Sequence, residues 1–189
     1  FINTGTSPAI PPITGIEQVP YLTNRNIMDL PEVPEHLLVV GASYVGLEVG
    51  QIFSRCGTRV TIVEYGDQIV PREDRDVAEA LEQALVAEGI SVLKATQVTE
   101  VTRAGAGLRA ATRLRDGQPG PVIEASHVLL AVGRKPNTDD LGLDAAGVET
   151  TRGWIKVNEY LETNVAGVYT LGDVTGGSAF THISYNDFQ

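Results

Sequence analysis

Apolar residues fall in two rhythms along the chain, and the change of rhythm divides it. Leu37 to Val40 is a short, partly β-branched apolar run, the pattern of a strand buried on both faces of a parallel sheet. From Ser43 onward Val45, Val49, Ile52 and Phe53 recur at helical spacing, and Val60 to Val63 is mostly apolar again. The order predicted is strand, tight turn, helix, strand. A second helix is expected after Pro71, with Glu73, Asp74 and Asp76 in its first turn, Val77, Leu81 and Leu85 as its apolar face, and Gly89 as its stop. Ile90 to Leu93 supplies a third strand. From Gln97 to Val132 the pattern shortens to alternating runs split by Gly105, Gly107, Gly117 and Gly120, which predicts antiparallel strands. The last run, Val128 to Val132, is apolar throughout and ends at Gly133, which returns it to the core. Residues 1–35 are turn-rich. Beyond Pro136, strands are expected at Trp154 to Val157 and at Gly167 to Leu171, with a helix from Thr181.

The turn after the first strand carries candidate chemistry. In Gly41-Ala42-Ser43-Tyr44-Val45-Gly46, Gly41 suits the sharp turn and Gly46 lets the helix lie close against the strand, with Gly50 extending the thin face. Ser43 stands where the fingerprint has its middle glycine; its hydroxyl offers a hydrogen bond in return for the space of its Cβ. A pyrophosphate would rest on the helix's first amides, near Ser43, Tyr44 and Val45. Glu64, at the tip of the second strand, is the acid such a site needs to accept from both ribose hydroxyls, and it would repel a 2′-phosphate. No Arg or Lys lies between Glu64 and Pro71, and Arg72 is the nearest cation to follow. NAD is therefore expected over NADP.

Composition narrows the classes. A chain of 189 residues with 42% apolar and 20% charged residues is ordinary for a soluble globular protein. The net charge of −10 disfavours nucleic acid and anionic membranes as partners. No run could span a membrane and no signal peptide is evident, so a cytoplasmic setting is expected. The one cysteine, Cys56, has no partner for an intramolecular disulfide and reads as a small half-buried residue before the helix stop at Gly57. His36, His127 and His182 lack metal-ligand spacing, so no metal site is expected. An apolar run delivering Gly172-Asp173 sets a carboxylate either beside a ligand hydroxyl or as the cap of its own turn, and the local pattern leaves both open.

Four motifs in order carry a resemblance: Ile2-Asn3-Thr4-Gly5, then Gly41 through Glu48, then Val132-Gly133-Arg134-Lys135-Pro136-Asn137-Thr138, then Val168-Tyr169-Thr170-Leu171-Gly172-Asp173. The chain resembles, over essentially its whole length, the class I pyridine nucleotide-disulfide oxidoreductases, the family of glutathione reductase, dihydrolipoamide dehydrogenase and mercuric reductase. The resemblance implies an α/β fold: a Rossmann-like NAD-binding domain with a parallel sheet and an antiparallel β-meander, flanked by partial FAD-domain segments. The boundaries expected are 1–33 for the first FAD-domain segment and linker, 34–137 for the NAD(P)-binding domain, and 138–189 for the second FAD-domain segment.

It also implies roles. Glu48 would face the flavin–nicotinamide contact and pair with a lysine on the helix bearing the redox cysteines. Tyr44 would be the aromatic gate over the flavin, or else a core aromatic at the helix start. Gly133 would let backbone approach the nicotinamide ribose, Gly172 and Asp173 would meet the flavin's ribityl chain, and Thr181 would open a helix whose amides face the flavin pyrimidine. The family's first glycine fingerprint, Cys-x4-Cys pair, partner lysine and C-terminal histidine are not in these residues. The expectation is a central portion that binds NADH weakly and catalyses nothing alone, with FAD, a dimerisation domain and a homodimer belonging to the intact enzyme. Two other classes remain: an NADH oxidase-type flavoprotein without a redox disulfide, and a non-catalytic NAD-binding module.

Overall fold

The computed structural model describes all 189 residues. The strands in chain order are β1 (Thr6–Pro8), β2 (Tyr21–Leu22), β3 (His36–Val40), β4 (Arg59–Val63), β5 (Ser91–Leu93), β6 (Thr96–Ala104), β7 (Gly107–Leu114), β8 (Ile123–Ala125), β9 (His127–Leu130), β10 (Arg134–Pro136), β11 (Thr150–Thr151) and β12 (Trp154–Ile155). The helices are α1 (Tyr44–Arg55), α2 (Arg75–Ala87) and α3 (Thr181–Phe188). Two compact units form: Pro8–Gly133, and Phe1–Ser7 together with Arg134–Gln189.

The larger unit is built on a five-stranded sheet in the order β2-β9-β3-β4-β5, with every pairing parallel. All five residues of β3 are buried, as an apolar run between two layers requires. Successive side chains of a strand point to opposite faces, and the core divides accordingly. Leu37 and Val39 pack with Leu47 and Phe53 of α1 and with Ala78 and Leu85 of α2. Leu38 and Val40 pack with Val98, Val101, Leu108 and Ala110 of the antiparallel sheet β6-β7-β8. Helices cover one face of the parallel sheet and the meander the other, in agreement with the fold class read from sequence.

Several expected features shift. The buried side of α1 is Gly46, Leu47, Gly50 and Phe53, whereas Val45 and Ile52 are 42% and 46% exposed. The small residues bring the helix backbone itself against the sheet, and this turns the β-branched stripe outward. Helix α2 begins at Arg75, not directly after Pro71, because residues 71–73 form a turn behind Val70. It buries Ala78 and Leu85 while Val77 and Leu81 stay exposed. Cys56 is exposed rather than half-buried. Strand β9 ends at Leu130, and Val132 lies in the exposed loop beyond it. Residues 8–33, grouped by sequence with the first segment, pack in the larger unit because Ile13, Ile16 and Val19 bury against the meander.

The smaller unit has its own core of Leu143, Val148, Ile155 and Val174, with Ile2, Val165 and Val168 against it. Its strands are shorter than expected. Trp154 to Val157 narrows to β12, paired with β11, and the run to Leu171 keeps only single bridges, Tyr169 with Glu162 and Thr170 with Ile2. Helix α3 buries none of its residues. No helix of the structure is long and apolar enough to cross a membrane.

Candidate functional site

The turn that leaves β3 is as tight as backbone allows. Gly41 adopts φ 104°, and a Cβ there would stand 2.5 Å from the carbonyl oxygen of Ala131. A Cβ on Gly46 would stand 2.1 Å from the carbonyl oxygen of Gly41. The first turn of α1 is therefore folded onto the end of β3, and only glycine fits at either position. Gly50 is different, since its Cβ would meet the side chains of Ile62 and Val60 at 3.4 and 3.5 Å, ordinary van der Waals contact. Ser43 is the N-cap residue, but its hydroxyl makes no capping bond. The first amides of α1 keep their partial positive charge uncovered by any side-chain cap, the condition for anion binding at a helix start.

Glu64 is drawn into this turn. One carboxylate oxygen accepts from the Ala42 amide at 2.8 Å and the other from the Gly66 amide at 2.8 Å. An ionised carboxylate has about four acceptor sites, so both oxygens retain room for a ligand hydroxyl. The half-buried acid thus fastens the glycine turn and still faces a cavity of about 260 Å³ lined by Pro12, Gly41, Glu64, Tyr65, Val98 and Val132. The cavity opens at the carboxyl ends of β3 and β4, where open α/β sheets take their ligands. Its volume suits one end of an elongated molecule.

Tyr44, 39% exposed, donates its hydroxyl to Glu73 at 2.5 Å across the mouth between α1 and the turn before α2. The carboxylate stabilises the neutral phenol and raises its pKa above the ordinary value. It is not a core aromatic. Glu48 is exposed and makes no hydrogen bond or ion pair within the chain. Gly133, at φ 124°, is exposed with nothing crowding its Cβ position, so conformation alone calls for glycine.

Gly172, Asp173 and Thr181 lie in the smaller unit. Gly172, at φ 73°, donates its amide to Asp187 at 2.9 Å, and a Cβ there would meet the Asn3 side chain at 2.8 Å. Asp173 accepts from the hydroxyls of Thr6 and Ser184, each at 3.3 Å, so its side chain ties residue 6 to α3 and does not cap its own turn. Thr181 is the exposed first residue of α3.

Two features escaped the sequence reading. Arg115 lies over the ring of Tyr65, its guanidinium carbon 5.8 Å from the centroid, brought there from the far end of the β6–β7 hairpin. His36 is buried, with Nδ1 donating to the Glu124 carbonyl at 2.6 Å and Nε2 accepting from the Thr61 hydroxyl at 2.9 Å. Burial first, and then the charge of Arg59, holds its pKa below 6.5. It joins β3, β4 and β8 as a neutral imidazole. Nothing in the local pattern signals either contact. No group of three His, Cys, Asp or Glu residues is placed to hold a metal ion.

The family model for pyridine nucleotide-disulphide oxidoreductases matches residues 1–187. The chain belongs to that family. Among its relatives, a mercuric reductase from Streptomyces lividans is 40% identical over 185 residues, 97% of this chain and 38% of that protein. Dihydrolipoyl dehydrogenase 3 from Pseudomonas putida is 34% identical over 181 residues, covering 96% of this chain and 39% of that protein. In structure it is similar to the HOCl-induced flavoprotein disulfide reductase RclA from Escherichia coli, at a TM-score of 0.89 and 32% identity over 99% of this chain and 42% of that one. LpdA from Mycobacterium tuberculosis follows at a TM-score of 0.85 and 34% identity, over 98% of this chain and 39% of that one. The chain thus spans less than half the length of these relatives.

Proposed function

We propose that this chain is the NAD(H)-binding central portion of a flavin-dependent reductase, in which the Gly41 turn would hold a nicotinamide dinucleotide whose chemistry is hydride transfer with a flavin. The carrying observation is the cradle that Cβ atoms would fill: Gly41 and Gly46 hold backbone so close that a pyrophosphate can reach the first amides of α1. Ser43 adds a hydroxyl, and Tyr44, Val45 and Gly46 add backbone amides. Glu64 takes the adenosine ribose hydroxyls while keeping its bonds to Ala42 and Gly66, which favours NADH over NADPH.

In this reading the protein's work is positioning. The turn and Glu64 fix one end of the dinucleotide. Gly133 leaves the other end unobstructed. Tyr44 would cover the flavin as a gate, and moving it aside would break its present bond to Glu73. Glu48, exposed and without a partner, is free to pair with a lysine of the intact enzyme. Residues 1–33 and 138–189 serve the flavin, with Gly172 and Asp173 at its polyol chain and Thr181 at the start of a helix facing its ring. The segmentation proposed is a nucleotide-binding domain over 34–137 between FAD-domain segments 1–33 and 138–189. The FAD and dimerisation domains of the intact protein are its partners.

Titration of the purified chain with NADH, NADPH and FAD, followed by an assay of NADH oxidation with an artificial acceptor, tests the proposal. Saturable NADH binding without turnover is expected. A flavin-containing preparation of these 189 residues that turns over would overturn the view that the chain is incomplete as a catalyst.

A further inference from the structure

Glu64 is linked through the backbone to a cation outside the cavity lining, Arg115. The Gly66 amide holds its carboxylate at 2.8 Å, the Gly66 carbonyl accepts from the Ala95 amide at 2.7 Å, and the Ala95 carbonyl accepts from the Arg115 amide at 2.8 Å. Three consecutive bonds thus tie the backbone of Arg115 to the carboxylate of Glu64. Ala95 adopts φ 50° to make both of its bonds, a conformation an L-residue with a Cβ holds only when its surroundings enforce it. The Glu64 backbone is tied as well, its carbonyl accepting from Thr96 at 2.9 Å.

The Arg115 side chain then lies over Tyr65, which follows Glu64 in sequence and lines the same cavity. Arg115 is exposed and engages no carboxylate. A guanidinium offers five donors in a fixed fork that matches a phosphate, and resting on an aromatic face leaves that fork available.

We infer that Arg115 is a specificity-determining residue of the nucleotide site, a cation that receives the 2′-phosphate of NADPH and offsets the discrimination imposed by Glu64. The inference rests on the reading of the Gly41 turn as a dinucleotide site. Glu64 alone would exclude NADPH. With Arg115 over the adjoining Tyr65 ring the site admits both nucleotides, NADH by hydrogen bonds to Glu64 and NADPH by an ion pair to Arg115. The contact was illegible in sequence because the cation arrives from residue 115, outside the loop that follows Glu64.

The test is calorimetric titration of the full chain and of Arg115→Ala with NADH and NADPH, alongside 2′-AMP and 5′-AMP. Arg115 is exposed on a hairpin end, so its truncation leaves the core intact, and a thermal melt checks this. The expected result is about tenfold weaker binding of NADPH and 2′-AMP, the order of a lost charge-assisted contact, with NADH and 5′-AMP unchanged. Arg115→Lys should recover part of the loss. Equal weakening of both nucleotides, as from a lost adenine platform, would overturn the inference and leave the dinucleotide site standing. No change in any ligand would do the same. Failure of the unsubstituted chain to bind either nucleotide would overturn both.

Discussion

Gly46→Ala is the sharpest perturbation of the glycine turn. In an ordinary helix interior this substitution stabilises by about 1 kcal/mol, because alanine is the better helix former. Here the new methyl would sit 2.1 Å from the Gly41 carbonyl oxygen, about 0.9 Å short of the 3.0 Å that real Cβ contacts keep. The obstructing atom is backbone, so α1 must retreat from β3 or the turn must open, and forced overpacking of this kind costs about 1–3 kcal/mol. The steric cost equals or exceeds the propensity gain, for a net loss of up to about 2 kcal/mol. Gly50→Ala is the internal control. Its methyl meets the Ile62 and Val60 side chains at 3.4 and 3.5 Å, ordinary contact, so the propensity gain survives and the change is neutral or stabilising by up to about 1 kcal/mol. Urea unfolding of the two variants measures the difference, and an NADH titration reads the same displacement at the site. Gly46→Ala should lose both stability and affinity while Gly50→Ala keeps both. Equal effects at the two positions, or an unaltered Gly46→Ala, would refute the close-approach argument.

Four further outcomes follow from the geometry. Glu64→Ala removes the acceptor of two backbone amides, at Ala42 and Gly66, and should destabilise by about 1–3 kcal/mol in urea unfolding, while Glu64→Arg should move nucleotide preference toward NADPH in a binding titration. His36 has its folded pKa below 6.5; the unfolded chain therefore binds a proton first, stability is full above pH 6.5, and it falls as pH drops from 6.5 toward the folded value. Denaturant midpoints across that window should lose this slope in His36→Gln. Glu73→Gln should bring the Tyr44 phenol back down toward its ordinary pKa of 10, visible in an alkaline titration followed by tyrosine resonances.

The alternation of apolar and polar residues was enough to read the layered architecture, because β3 is a five-residue run buried throughout and must be covered on both faces. The glycine turn was equally legible, since Gly46 is demanded by the Gly41 carbonyl of the same turn and Gly41 by its own φ of 104°, although the Ala131 carbonyl that also crowds Gly41 arrives from far along the chain. Helix faces were not. Val45 and Ile52 carry the apolar pattern, yet Gly46 and Gly50 decide which side packs, because a residue without a side chain lets backbone approach. Long-range pairings stayed hidden for a related reason. The bonds of His36 to Glu124 and of Asp173 to Thr6, like the position of Arg115 over Tyr65, depend on strand register and hairpin length. Ile13, Ile16 and Val19 likewise look like loop residues until the meander they cover is in place.

The segment from Gly41 to Glu64 is proposed as a dinucleotide site, and isothermal titration of the chain with NADH tests that role most directly. One saturable site per chain is expected, lost in Gly46→Val and weakened in Glu64→Ala. Heats that never saturate up to millimolar NADH, or binding that ignores both substitutions, would contradict it.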